Sequence, residues 1–159
     1  MGTRVTALAL ATLVLVTAAC PKGAPPTGTV TPVTSPARVY YDDSPAFRDS
    51  LRMVVRDVNT WHNVWAQATS TQPTPPALPD IDYSREMVIV VAAGRLTPGD
   101  QIHVDSAGVR GGQFVVVVRT TVQCRPFAAD AYPFEIVRVA RSDKQVTFIE
   151  HRDRAPGCQ

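Results

Sequence analysis

The chain opens with Arg4, a neutral apolar run over residues 5–16 and then Thr17-Ala18-Ala19-Cys20, and this arrangement decides which residues are left to fold. A charged start, an apolar core of about 12 residues and small residues before a cleavage point make an export signal, and the core is too short to span a bilayer. A cysteine directly after the small residues marks a bacterial lipoprotein signal, in which the thiol accepts a diacylglycerol; Thr17 stands where Leu or a relative is usual. Residues 1–19 are therefore expected to be a processed signal peptide, with Cys20 as the lipidated amino terminus. Two or three acyl chains, at about 0.8 kcal/mol per buried CH2, hold a protein stably on a bilayer surface without spanning it. Pro21 replaces the Asp that commonly retains lipoproteins at the inner membrane. The expected location is the cell envelope, at the outer membrane facing the periplasm or the cell surface.

Residues 21–36 read PKGAPPTGTVTPVTSP, rich in Pro, Thr, Gly and Ser and lacking aromatics, so this stretch buries too little apolar surface to fold alone. Residues 20–37 are read as the lipidated cysteine and a tether, which when extended holds a domain up to about 50 Å from the bilayer. The remainder, 38–159, suffices for one domain with a real core and is too short for two. The chain has 16 Lys+Arg against 14 Asp+Glu, and Arg4 leaves with the signal, so 15 face 14 in the mature chain. That near balance argues against a nucleic-acid binder. Of the three cysteines, Cys20 is accounted for by lipid, and Cys124 and Cys158 are expected to pair as a disulfide in an oxidising compartment, where free thiols are seldom kept.

Within the domain, Val39-Tyr40-Tyr41 reads as a short strand, Asp42-Asp43-Ser44-Pro45 as a turn, and 51–56 as a second strand. Asp57 is placed to cap a helix whose face carries Val58, Trp61, Val64, Trp65 and Ala68 at the i, i+3, i+4, i+7 spacing. Trp61 and Trp65 are assigned to the core in preference to a stacking surface for sugars or peptides. After a Pro-rich connection over 69–79, strands are expected at 87–92, 101–105, 113–123, 132–140 and 145–150. Arg110-Gly111-Gly112 and Arg141-Ser142-Asp143-Lys144 read as hairpin turns, with Gly108 included in the first of them. Together these predict an α+β domain, a small mostly antiparallel sheet or barrel-like body with one main helix packed on it.

Val54-Val55-Arg56-Asp57 leading into Trp61 and Trp65, then Pro79-Asp80-Ile81-Asp82-Tyr83-Ser84-Arg85-Glu86-Met87-Val88, resembles the domain of the PrcB family. The likeness continues through Gly94, the Thr97-Pro98-Gly99 loop, residues 101–105, Tyr132-Pro133-Phe134 and Val146-Thr147-Phe148, and so covers nearly all of the domain. The family comprises small exported proteins named after a lipoprotein subunit of a surface protease complex. The resemblance implies a noncatalytic partner or stabiliser of an exported protease. Where similar proteins carry Thr-Gly-Gly-Tyr, this chain has Thr97-Pro98-Gly99-Asp100.

Motifs that carry chemistry are scarce. His62, His103 and His151 lie far apart without metal-ligand spacing, and Asp80, Asp82 and Glu86 lack the glycine-containing oxygen-rich loop that calcium requires, so no metal and no cofactor are expected. There is no Gly-x-Ser-x-Gly and no phosphate-cradling loop, and the chain is read as noncatalytic. Arg119, Arg125, Arg138 and Arg141 are weighed as a basic patch, but Arg138 and Arg141 more simply mark a solvated strand face or turn, and the charge count gives the patch little support. The loop Leu96, Thr97, Pro98, Gly99 and Asp100 is the expected partner contact, because a Pro-Gly turn between two strands projects from a rigid scaffold. Two functions are expected. One is a membrane-anchored module binding or stabilising an exported protein, plausibly a protease, through loops and sheet edges. The other is an envelope ligand-binding or protease-inhibitor-like domain that uses 96–100 as a wedge.

Overall fold

The computed structural model describes residues 36–124 and 127–158. The expected signal peptide 1–19, Cys20, nearly all of the tether and Arg125 lie outside these residues. The order of elements is β1 (Ala37–Asp42), β2 (Ser50–Val55), α1 (Val58–Ala68), β3 (Glu86–Ala93), β4 (Gln101–Arg110), β5 (Gln113–Val122), β6 (Phe134–Ala140) and β7 (Val146–Arg154). The strands form two open sheets, one ordered β1-β6-β3-β2 and one ordered β4-β5-β7. An α+β domain with a mostly antiparallel arrangement is thus what the chain adopts, and among the described residues no barrel closes.

The helix, the four-stranded sheet and the three-stranded sheet stack as successive layers. β3 occupies the middle layer, which explains its continuous apolar run. Val88, Val90 and Ala92 face the helix layer with Trp61, Trp65, Phe47 and Phe134, while Met87, Ile89 and Val91 meet Ile102, Phe114, Val116 and Val118 of the other sheet. α1 starts where Asp57 accepts the backbone N–H of Thr60 at 2.8 Å, satisfying one of the orphan donors of the first turn. Its inner face buries Trp61, Val64, Trp65 and Ala68. Val58, expected on that face, is 52% exposed. Trp61 Nε1 donates to Pro79 O at 3.0 Å and Trp65 Nε1 to Pro76 O at 3.1 Å, so the Pro-rich connection satisfies both indoles.

Three strand expectations need correction. β4 does not stop at residue 105. The register shifts between Val104 and Ser106, so the inward positions change from Ile102 and Val104 to Ala107, and the period-two pattern is broken without the strand ending. Gly108 accordingly sits inside β4, opposite Val115, and not in the turn. The segment 141–144 is not a hairpin: β6 belongs to the four-stranded sheet, and the chain crosses to the other sheet, where β7 lies parallel to β5 with Val146 opposite Phe114 and Arg154 opposite Val122. β7 also extends four residues past Glu150, through charged positions that are exposed.

Candidate functional site

Register fixes which segments share an end of the domain. Ala37 lies opposite Arg138 and Asp42 opposite Phe134, so the chain enters the domain at the end where β2, β4 and β6 finish. The opposite end gathers the loops 43–49, 94–100 and 127–133 and the closing residues 155–158. Gly94 allows two of these loops to meet closely. Its φ is +74°, and a Cβ there would lie 3.0 Å from Ser50 N.

The 96–100 loop sits at this end and is braced on three sides. Leu96 and Ala131 exchange backbone hydrogen bonds at 2.8 and 3.1 Å. Asp100 N donates to Thr97 O at 3.0 Å across Pro98 and Gly99, with Gly99 at φ 91°, the arrangement of a type II turn. The Asp100 side chain turns inward. Only 7% exposed, it accepts from Thr97 N and Thr97 Oγ1 through Oδ2, both at 3.0 Å, and from Gln123 N through Oδ1 at 2.7 Å. Gln123 Nε2 adds a bond to Gly99 O at 2.7 Å. The expected partner-contact loop is a braced corner in which Gly99 is exposed and Leu96, Thr97 and Pro98 are half-buried, with Arg95 beside it in a 3.8 Å pair with Asp130.

Next to Gln123, Cys124 and Cys158 form a disulfide with Cα atoms 5.1 Å apart, tying together the ends of the parallel strands β5 and β7. Phe127 stands 63% exposed on the same end. Neither the brace from Gln123 nor the position of Phe127 is readable from local sequence, since both depend on pairings between distant segments.

The remaining sequence candidates are occupied by structural work. Trp61 and Trp65 are 1% and 7% exposed, so no ring face is open to stack on a sugar. Asp82 accepts the N–H of Ser84 at 3.0 Å, and Glu86 pairs with Arg138 at 3.2 Å. The hydrogen bonds from Ser84, with a smaller contribution from Arg85, hold the Asp82 carboxyl below its ordinary range. Among the described residues, no group of three or more His, Cys, Asp or Glu side chains converges as metal ligands. Arg119 lies between Asp105 and Asp153, and Arg141 pairs with Asp143 at 3.1 Å, so these arginines form no unbalanced patch. Among the described residues, no helix is long and apolar enough to cross a membrane.

One buried charge escaped the sequence reading. Glu135 alternates with apolar residues as an outward position would, yet it is 3% exposed and faces the second sheet. Arg38 Nε donates to its Oε1 at 2.6 Å and Val104 N to its Oε2 at 2.6 Å, with His103 Nδ1 3.5 Å away. Tyr41 stacks near His103 with ring centroids 5.5 Å apart, and burial foremost, then Asp43 and Glu135, raises its hydroxyl pKa. With both oxygens engaged and no open approach, this carboxylate is a cross-sheet tie and is poorly placed to move a proton to a substrate. Set against family models, curated proteins and solved structures, the chain matches none.

Proposed function

We propose that this protein is an exported, lipid-anchored, noncatalytic interaction module that binds or stabilises another exported protein, plausibly a protease, as its resemblance to the PrcB family implies. Cys20 is the site of lipidation and the following Pro-rich residues are the tether. The observation that carries the reading is the separation of ends: the chain enters at Ala37, and the braced loops, the disulfide and exposed Phe127 lie at the far end. A domain tethered by its amino terminus presents that far end away from the bilayer, where a partner arrives. The Cys124–Cys158 bridge fits an oxidising compartment.

The test is a pull-down from detergent-solubilised membranes, comparing the wild type with Cys20→Ala and with a variant altered at Pro98 and Gly99. The expected result is a defined partner held by the wild type, lost from the membrane fraction with Cys20→Ala and weakened by the loop change. A lipidated, folded protein that retains no partner would overturn the reading. The rigidity of the Thr97–Asp100 corner favours a second reading, a wedge that inhibits a protease. Stoichiometric inhibition that depends on Pro98 and Gly99 would select it.

A further inference from the structure

Strand β2 ends the four-stranded sheet, and among the described residues no strand pairs with its outer edge. A bare strand edge is a template for pairing unless it is bent, charged or covered. β1 carries a register shift between Arg38 and Tyr40, and β4 one between Val104 and Ser106. β7 exposes a charged run from Glu150 to Arg154. β2, with the sequence SLRMVV, pairs with β3 in unbroken register, and its one charge, Arg52, is held to Glu150 and to the carbonyls of Leu51 and Ala92.

Two depressions flank this edge on opposite faces of the sheet. On the helix side, a hollow of about 220 Å3 opens against Phe47, Ser50, Leu51, Met53 and Gln67 near the start of the strand. On the side of the second sheet, a cleft of about 630 Å3 lies against Val54, Arg56, Asp143, Lys144, Gln145 and Val146 at its end. Side chains of an extended segment alternate between faces. A strand added to β2 therefore reaches the two hollows with residues of opposite alternation near its two ends, which is the geometry of peptide recognition by strand addition.

The cleft has a chemical preference. Arg56 Nε donates to Ser142 O at 3.1 Å and its Nη2 to Lys144 O at 3.3 Å, which fixes the guanidinium at the mouth. Among the described residues no carboxylate forms an ion pair with Arg56 or Lys144, and Asp143 is taken by Arg141. A fixed guanidinium and an exposed ammonium beside it at the end of a strand edge complement a carboxylate.

We infer that the free edge of β2 receives an extended peptide segment of a partner protein as an added strand, with a carboxylate of that segment held by Arg56 and Lys144. The carboxylate is either the segment's C-terminus or an Asp or Glu side chain. This deepens the interaction-module reading and rests on it only in requiring a protein partner. The test below uses neither lipid nor the loop end, so its failure leaves the pull-down outcome standing.

The experiment screens the detergent-solubilised full chain against random six-residue peptides in two forms, with a free C-terminus and as C-terminal amides, by fluorescence anisotropy. The expected binders carry a carboxylate: preference for the free-acid form identifies the terminus, and binding by amides containing Asp or Glu identifies the side chain. Lys144→Gln, at an exposed position whose side chain forms no hydrogen bond or ion pair among the described residues, and Arg56→Gln should each weaken the best binder about tenfold. Because strand amides point alternately toward and away from the neighbour, N-methylating one alternate set of peptide amides should abolish binding and methylating the other should not. The inference is overturned by a screen with no carboxylate-dependent binder, by affinity unchanged in both variants, or by a binder that responds alike to the two methylated sets.

Discussion

Glu135 Oε2 accepts the backbone N–H of Val104 at 2.6 Å, joining an inner strand of one sheet to the bulge of the other. The carboxylate is 3% exposed, while its partner Arg38 is 56% exposed, so the pair is desolvated chiefly on the acidic side. Removing the acid leaves a buried N–H without an acceptor, whereas removing Arg38 leaves a buried carboxylate without its ion-pair partner. Glu135→Ala should destabilise by about 2–3 kcal/mol, and Arg38→Ala by more than the roughly 1 kcal/mol of an exposed pair. Urea unfolding midpoints of the two variants check both.

Asp100 should behave as a brace and not as a contact residue. Asp100→Ala removes the acceptor of three hydrogen bonds, from Thr97 N, Thr97 Oγ1 and Gln123 N. A loss of about 2 kcal/mol is expected. Faster hydrogen exchange at the Thr97 and Gln123 amides should accompany it. Asp100→Asn, which keeps one acceptor oxygen, should fall between.

Reduction of the Cys124–Cys158 bridge opens a loop with a sequence separation of 34. In the chain-entropy account this costs about 3–4 kcal/mol. Thermal unfolding with and without reductant measures it, and Cys158→Ser should reproduce the reduced value.

The helix start makes stability depend on pH. Hydrogen bonds from Thr60 N and Thr60 Oγ1 hold the Asp57 carboxyl below its ordinary range. Because the folded value lies below the unfolded one, the contribution is fully present above the unfolded value and is lost as pH falls through the folded value. The thermal midpoint of the wild type should therefore drop on acidification, and Asp57→Asn should show a shallower drop. Asp82, lowered in the same sense by Ser84, adds to the slope that remains.

How far the fold was legible follows from which interactions are local. α1 was readable because its cap and its buried stripe lie within one short stretch, from Asp57 to Ala68. β3 was readable because burial on both faces leaves a run that nothing but an inner strand explains so simply. The second half of β4 was hidden by a bulge at Asp105 that re-phases the alternation, and the tail of β7 by charges that an edge strand tolerates on its exposed face. The placement of β7 beside β5 is set by packing between sheets, and no turn residue near Ser142 encodes it. At the loop end, the Pro98-Gly99 turn was legible, but the inward aim of Asp100 depends on Gln123, a residue from another strand's exit.

Strand β1 opens the domain, yet its neighbour is β6, about a hundred residues later, a pairing of the kind that slows folding because the intervening chain must be closed first. β7, last in the chain, completes the other sheet. Polypeptide emerging amino terminus first, from a ribosome or through a membrane channel, thus carries its first strand unpaired until β6 has appeared, and neither sheet is whole before then. Such wiring leaves β2-β3 and β4-β5 free to pair early and places completion of both sheets at the end of synthesis.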